Sequence, residues 1–255
     1  MSAHTDLDKL SVKEFAERFS DSLIPVSNTF SYFPALPLSE EDLKEYVEEP
    51  IAALPPAVGS LLRKVSILFV PYLEKANGKD KGEAPVDVVT FEKPPESRQS
   101  WCAQLIVRGQ TSLVFAIKER HVADYHYEFY NAVAALIADH SLEEDRDRFS
   151  LLMREELSNS VHGEVDEKGW QLKQALLRRQ SNVRRETKLF REYARQSFID
   201  TMTLYLHGIC CDIDVDTGPR QLPSRHLRRR LELLESLYPP PQGYAVFPEE
   251  LNRDK

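Results

Sequence analysis

Residues 141–207 read SLEEDRDRFSLLMREELSNSVHGEVDEKGWQLKQALLRRQSNVRRETKLFREYARQSFIDTMTLYLH. Apolar side chains recur at helical spacing on both sides of Gly163, which predicts one helix over about 141–161 and a very long one over about 166–207. Consecutive helices that are joined by a short loop containing glycine pack antiparallel. The stretch is therefore predicted to form a long antiparallel helical hairpin.

The two predicted helices carry opposite charge. Residues 139–167 hold three basic and ten acidic side chains, whereas residues 168–195 hold nine basic and two acidic ones. An acidic helix beside a basic one favours their pairing, although each exposed ion pair adds only about 0–1 kcal/mol. On this interpretation the opposite charges serve to pair the two helices with each other, and they bind no external ligand.

The alternative interpretation is a protruding basic strip that binds a partner. Only Val183 is apolar between Gln180 and Lys188, so this section is expected to be solvated nearly all round. A strip of this kind attracts nucleic acid, another anionic ligand or an acidic protein. Its predicted binding residues are Arg178, Arg179, Arg184, Arg185 and Lys188.

One clear β signal stands in the middle of the chain. Residues 101–108 and 111–118 are rich in β-formers and flank Gly109-Gln110, a pair that suits a two-residue type II′ hairpin loop. In that register Ile106 faces Leu113. Both faces of the hairpin are partly apolar, so both are expected to pack against helices.

Further helices are predicted from their caps. Ser11 with Glu14, and Ser141 with Glu144, fit capping boxes. A second capped helix is predicted to start at Ser39 and to stop before Pro50. A third is predicted over about residues 56–75, kinked or ended by Pro71. The last helix is predicted to be capped by Ser224 and to end at Leu237.

These elements predict an α+β fold that is predominantly α-helical. Its helical core contains the long antiparallel hairpin and a small antiparallel sheet of two or three strands. Three segments are expected: an N-terminal helical and proline-containing segment over 1–76, the helical core with its β-hairpin over 86–238, and an extended tail over 239–255. Residues 77–85, NGKDKGEAP, contain glycine and no long apolar side chain, and are the predicted linker.

Composition limits the partners and the compartment. The net charge is −8, from 33 Lys and Arg against 41 Asp and Glu. Phosphate binding depends on clustered Lys and Arg, so nucleic acid is not favoured, and a protein partner or self-association is. The three cysteines, two of them adjacent, suit a reducing compartment. With no apolar run long enough to cross a bilayer and no secretory signal, a cytoplasmic protein without a membrane partner is expected.

Two stretches carry side chains suited to acid–base or metal chemistry. His162 and Glu164 fall in the turn between predicted helices, where His162 is a candidate general base or metal ligand that Glu164 orients. His121 and Glu128 share one helix face and are candidate ligands, with His162, for a divalent metal ion. His126 lies on the apolar face and is predicted to be a core histidine. Acidic residues at a helix start, and polar faces on amphipathic helices, are also ordinary without any function.

No familiar catalytic motif supports an enzyme class. The sequence lacks G-x-S-x-G, a P-loop, a dinucleotide-binding glycine pattern and H-E-x-x-H. Two hypotheses remain. The first is a non-catalytic interaction or regulatory protein that acts through the charged helical hairpin. The second is a metal-dependent hydrolase that uses His162 and neighbouring carboxylates.

Overall fold

The secondary structure comes from a computed structural model that describes residues 9–75, 87–178, 185–211 and 220–247. The helices are α1 (Val12–Phe19), α2 (Glu40–Leu43), α3 (Glu49–Ala52), α4 (Pro56–Leu61), α5 (Val122–His140), α6 (Glu143–Ser158), α7 (Glu167–Leu177), α8 (Lys188–Cys210) and α9 (Ser224–Leu237). A π-helical segment (Lys44–Glu48) joins α2 to α3, and a 3-10 turn spans Glu96–Arg98. The strands are β1 (Ile24–Pro25), β2 (Phe30–Pro34), β3 (Val65–Val70), β4 (Tyr72–Glu74), β5 (Val88–Thr90), β6 (Gln99–Ser100), β7 (Cys102–Val107) and β8 (Gln110–Ala116).

Two compact units make up the chain. Residues 1–52 and 62–128 form the first unit, and residues 53–61 and 129–255 form the second. The linker predicted over residues 77–85 lies outside the described residues, as do residues 248–255 of the predicted tail. Within the described ranges, no helix is both long and apolar enough to span a membrane.

The first unit is built on a five-stranded mixed sheet in the order β1-β2-β3-β8-β7. Strands β2, β3 and β8 run parallel, and the outer strands β1 and β7 are antiparallel to their neighbours. A second, antiparallel sheet has the order β5-β4-β6. The prediction of a single small sheet is therefore wrong.

Strand β3 explains why the sheet is larger than predicted. Residues 56–75 were expected to be one helix, but only α4 is helical, and all six residues of β3 are buried. A short, continuous apolar run is typical of a parallel strand that is covered on both faces, and periodicity alone does not separate it from a buried helix. Pro71 stands where the chain leaves β3 for β4 in the second sheet.

The β7–β8 hairpin is confirmed, with a different turn. Val107 pairs with Gln110, and Ile106 pairs with Thr111, so the loop is Arg108-Gly109. Both loop residues have positive φ, +49° and +79°, as a type I′ turn requires. The one-residue shift of the turn keeps the predicted faces of both strands.

Helices pack against both faces of the central strands, whereas Ile106 of β7 is 63% exposed, so the predicted covering of both hairpin faces is met only in part. On one face, Phe15 of α1 packs in a buried cluster with Leu68 and Val114. On the other face, Phe69 and Phe115 contact the ring of Tyr125 from α5, with ring centroids 5.8 Å and 5.2 Å away. The start of α5 is thereby fixed against the sheet.

The helix that begins at Ser39 is capped as predicted but does not stop before Pro50. Ser39 is the N-cap of a capping box: its hydroxyl accepts from the Asp42 amide at 3.0 Å, and its own amide donates to the Asp42 carboxylate at 2.8 Å. The helix continues through the π-helical segment to Ala52. The amide of Glu49 donates to the Lys44 carbonyl, five residues back. Since proline has no N–H, Pro50 donates no hydrogen bond to the carbonyls four and five residues before it, those of Tyr46 and Glu45.

Two side chains at the start of α5 satisfy those carbonyls. The Tyr125 hydroxyl donates to the Tyr46 carbonyl oxygen at 2.7 Å, and His126 Nε2 lies 2.8 Å from the Glu45 carbonyl oxygen. Both side chains are buried. This confirms His126 as a core histidine and shows how the helix passes Pro50 without orphaned backbone groups.

The long helix predicted over 166–207 is wrong. Helix α7 ends at Leu177, and α8 begins anew at Lys188, where the Thr187 hydroxyl accepts a hydrogen bond from the Phe190 amide at 3.1 Å. Thr187 is a side-chain N-cap, and a capped start marks a separate helix. Among the described residues there is no long antiparallel helical hairpin, so that part of the predicted fold class is also wrong.

Other helix ends confirm some predictions and correct others. The capping box of Ser11 and Glu14 is present, and the last helix ends at Leu237. Helix α6 has Leu142 as its N-cap residue without a side-chain cap, so the predicted Ser141 box is wrong. Ser224 is the first residue of α9 and does not cap it.

The hydroxyl of Tyr125 provides a test of the Pro50 arrangement. Tyr125→Phe leaves the buried Tyr46 carbonyl without this donor, which is expected to lower the free energy of unfolding by about 1–3 kcal/mol. Urea unfolding measures the change. The control is Tyr32→Phe, which removes a half-buried hydroxyl that donates to none of the described residues and should cost under about 0.5 kcal/mol. Equal losses for the two variants would contradict this account.

Candidate functional site

A cleft of the second unit lies between three helices. It has a volume of about 530 Å³ and is walled by the C-terminal end of α5, one face of α6 and the N-terminal half of α8. We call it the α5–α6–α8 groove. Its lining residues are Ala138, Asp139, Glu143, Arg146, Asp147, Phe149, Ser150, Glu186, Arg191, Ala194, Arg195 and Phe198.

The floor of the groove is apolar and rigidly packed. Phe149 of α6 meets Phe198 of α8 edge to face, with ring centroids 5.2 Å apart. Ala138 and Ala194 complete the floor, and the small side chains at these positions leave the space open. A concave apolar floor with a few polar groups around it is the usual form of a ligand or peptide site.

Helical periodicity places charges along both edges of the groove. Glu143, Arg146 and Asp147 stand on one face of α6, and Arg191 and Arg195 stand on one face of α8, at spacings of three and four. All five side chains are exposed. The edge formed by α8 is therefore basic, and the edge formed by α6 is mixed with an acidic excess.

Two of the three groove arginines are not engaged by the described part of the protein. Arg195 donates to Asp139 Oδ1 from Nη2 at 2.7 Å and from Nε at 3.1 Å. Neither the Arg146 nor the Arg191 side chain makes a hydrogen bond or ion pair with any described residue. The acidic side chains Glu143 and Asp147 are likewise unpaired within the described ranges. These four charges are available to a ligand.

The entry to α8 is held by a single arginine of α6. The Arg154 guanidinium lies 3.8 Å from the Phe190 ring centroid, donates to Glu186, and reaches the Arg185 carbonyl at 3.4 Å. A cation on an aromatic face adds about 0.5–2 kcal/mol. This packing fixes the basic edge of the groove at its N-terminal end.

The predicted basic strip is only partly described. Arg185 and Lys188 are exposed at the start of α8, next to the groove but outside its lining. Arg178 is the C-cap residue of α7 and lines a separate shallow cleft beside Trp170. Arg179 and Arg184 lie outside the described residues. Binding through these five residues stays a prediction.

Glu164 is the centre of a buried ionic cluster, a role that its predicted place in a turn did not suggest. Its carboxylate accepts from Lys173 Nζ at 3.0 Å, from the Tyr193 hydroxyl at 2.5 Å, and from Arg230 Nη1 at 2.8 Å. Arg230 also binds Glu156 and is wholly buried. Two anions thus meet two cations away from water, as buried charges must.

The cluster fixes the charge of Glu164. Burial alone would raise the pKa of its carboxyl group, but Arg230, with Lys173, holds that pKa at about 2. A carboxylate that is this acidic and this fully hydrogen-bonded is a poor base at neutral pH. His162, two residues earlier, is exposed to solvent. The structure thus gives Glu164 a buried structural setting, and catalysis by His162 and Glu164 stays an untested prediction.

The backbone around Glu164 leaves no room for a side chain at the preceding residue. Gly163 has φ +76°, and a Cβ there would lie 2.1 Å from the Gln221 carbonyl oxygen. Glu164 and Gln221 form a parallel bridge, with the Leu222 amide donating to the Glu164 carbonyl at 3.0 Å. Gly163 thus takes the left-handed conformation in the connection that follows α6, which ends at Ser158.

The predicted metal ligands of the first unit lie in a different cleft. His121 and Glu128 line a cleft of about 430 Å³ with Trp101 and Arg120. His121 Nδ1 accepts from the Ala123 amide at 3.3 Å, and Arg120 Nη2 donates to Glu128 Oε1 at 3.4 Å. Within either unit taken alone, no three His, Cys or carboxylate ligand atoms of the described residues lie within 4.8 Å of one another. A divalent metal cofactor therefore remains a prediction.

Comparison with known proteins adds no functional information. No family model, no curated protein and no solved structure matches this chain. The groove and the ionic cluster are accordingly interpreted from their own chemistry.

Asp200 is a buried carboxyl group beside the cluster that lacks full hydrogen bonding. Its Oδ1 accepts from Gln196 at 2.7 Å, whereas Oδ2 has no partner among the described residues and sits where a Cβ on Gly169 would come within 2.9 Å. Burial, with smaller contributions from the charges of Asp166 and Glu164, raises its pKa to about 7, although the hydrogen bond from Gln196 and the charge of Lys168 oppose the rise.

Asp200→Asn tests this assignment through the pH dependence of stability. A pKa that is raised in the folded state lets the folded protein bind a proton more tightly, so the wild type loses stability as pH rises from about 4 to above 7. Relative to wild type, Asp200→Asn should gain up to about 3–4 kcal/mol at pH 8 and little at pH 4. Unfolding at several pH values measures the difference, and a gain that is independent of pH would contradict the raised pKa.

Proposed function

We propose that this protein is a non-catalytic interaction protein whose α5–α6–α8 groove binds an amphipathic helical segment of a protein partner. The observation that carries the proposal is the groove itself. It has an apolar floor, and the edges formed by α6 and α8 hold unpaired charges. A helix laid into a groove uses apolar residues at i, i+3, i+4 and i+7 against the floor and polar residues along the edges.

The charges at the edges define the chemistry of that segment. Arg191 on the α8 edge calls for a carboxylate, and Glu143 and Asp147 on the α6 edge call for a cation. Complementary charges across an interface select the partner and its orientation more than they add affinity. The expected ligand is a helix with one apolar face, an acidic flank and a basic flank.

The groove is lined by residues from both the acidic and the basic stretch of the sequence. Acidic residues of 139–167 and basic residues of 168–195 do face a common space, across α6 and α8, although no continuous hairpin presents them. Arg191 belongs to the basic region that the sequence singles out, and Arg146 to the acidic one. Among the described residues Asp139 and Arg195 pair across the groove, whereas the charges of Glu143, Asp147 and Arg191 remain for a ligand.

Within each unit, no three candidate ligand atoms of the described residues lie together, and metal-dependent hydrolysis stays the alternative hypothesis. Elemental analysis of the purified wild type and of His162→Ala tests the alternative. We expect no stoichiometric zinc, manganese or iron whose content depends on His162. Stoichiometric metal in the wild type, lost in His162→Ala while Lys64→Glu retains it, would instead favour the alternative.

Binding of a designed peptide tests the groove. The probe is a synthetic helix with leucines on one face, glutamates along one flank and lysines along the other, labelled for fluorescence anisotropy. Arg191→Glu is expected to weaken its binding by roughly tenfold, because an attraction becomes a repulsion. The matched control is Lys64→Glu, which makes the same change of charge at an exposed side chain of the first unit and should bind like wild type.

A compensating peptide makes the test specific to the groove edge. A version with lysines on both flanks should bind Arg191→Glu better than it binds wild type. Weak binding of every peptide to the wild type, or equal effects of Arg191→Glu and Lys64→Glu, would overturn the proposed function.

A further inference from the structure

Strand β7 stands at the edge of the five-stranded sheet without a partner on its outer side. The sheet order ends β3-β8-β7, and within the described residues β7 pairs only with β8. The opposite edge differs, because β1 is two residues long and ends in Pro25. Short strands and prolines protect a sheet edge from pairing with another chain, and β7, with six residues, has neither.

The hydrogen-bond pattern shows which backbone groups β7 presents to the outside. The Ala116 amide donates to the Trp101 carbonyl at 3.0 Å, so residues 101 and 116 form a hydrogen-bonded pair. Since such pairs alternate in an antiparallel ladder, the odd residues of β7 bond to β8. The N–H and C=O groups of Cys102, Gln104 and Ile106 therefore point outward.

The side chains of β7 do not block a second strand. Its sequence, CAQLIV, has no charged residue, proline or glycine. Ile106 is 63% exposed, although isoleucine is a residue that folding normally buries. Charged side chains are the usual protection of an edge strand, and their absence here leaves both the backbone and an apolar side chain available.

We propose that a second copy of this chain pairs with β7 in antiparallel orientation, about a two-fold axis at Gln104. The two-fold axis places Gln104 opposite its own copy and Cys102 opposite Ile106 of the other copy. All three positions have outward backbone groups, so the pairing is in register for about six hydrogen bonds. The two five-stranded sheets would become one continuous sheet.

An identical copy of β7 can pair with it without charge repulsion, because the strand carries no charged side chain. A two-fold interface brings the same patch of both subunits together, and no like charges meet along an uncharged strand. The cleft of about 400 Å³ beside β7 carries one charge of each sign, Lys13 and Asp87, so it also repels no identical copy. Pairing would cover Ile106 against the partner's Cys102, at the 5.5 Å Cα separation of a hydrogen-bonded pair.

Charge at Gln104 provides the first test. Because this residue meets its own copy, Gln104→Lys and Gln104→Glu each place two like charges together and are expected to be monomers, whereas the wild type is a dimer by light scattering after gel filtration. An equimolar mixture of the two variants should dimerise again. Gln171→Lys, at an exposed position of α7, is the control and should stay dimeric.

Three results would overturn the proposal. One is a wild type that is monomeric at its highest soluble concentration. Another is a Gln104→Lys variant that dimerises as well as the wild type. The third is a mixture of the two charged variants that stays monomeric although circular dichroism shows both to be folded.

A cross-link tests the register independently. In a Cys210→Ser, Cys211→Ser background, Ile106→Cys places a thiol opposite the native Cys102 of the second copy, within the Cα range that a disulfide spans. Oxidation should give a covalent dimer on a non-reducing gel. The matched control, Ile24→Cys on the opposite edge strand, should stay monomeric on that gel. Equal cross-linking of the two variants would refute the register.

Discussion

The second unit depends on the neutralisation of one buried arginine. Arg230 of α9 is wholly buried and binds Glu156 of α6 and Glu164 of the segment between α6 and α7. Lys173 of α7 and Tyr193 of α8 complete the shell around Glu164. Four helices and one connection thus meet at a pair of carboxylates. Removing one member of such a set leaves a buried charge without a partner and without water to solvate it. The resulting loss of folding stability is far larger than the net contribution of the intact pair to stability.

The sequence predicted the elements whose signals are local. The capping box of Ser11 and the β7–β8 hairpin follow from spacing, propensity and turn chemistry within a few residues. Strand β3 could not be separated from a helix, because its six buried residues show no alternation and its neighbours come from distant parts of the chain. The break before α8 had a local signal, the Thr187 cap, but the run of charges on both sides resembled a solvated helix.

The candidate site was predictable only in part. The segregation of charge singled out residues 168–195, and this stretch supplies Arg191 to the groove. The groove itself arises where α5, α6 and α8 meet, and nothing in the sequence shows that Ala138 and Ala194 leave space between them. In the same way, Glu164 had the appearance of a loop acid with a chemical role. Its setting is decided by Arg230, 66 residues further along the chain, which a reading of neighbouring residues does not connect to it.

The tight packing at Gly163 bears on how relatives of this protein could be recognised. Any side chain there collides with the Gln221 backbone, and the bridge between Glu164 and Gln221 sets the depth at which the carboxylate enters the protein. A Gly-Glu pair that follows an acidic helix, combined with an arginine in the last helix, is a compact fingerprint of this arrangement. A chain that shares this arrangement needs a residue without Cβ at this position and an arginine that reaches the buried carboxylate.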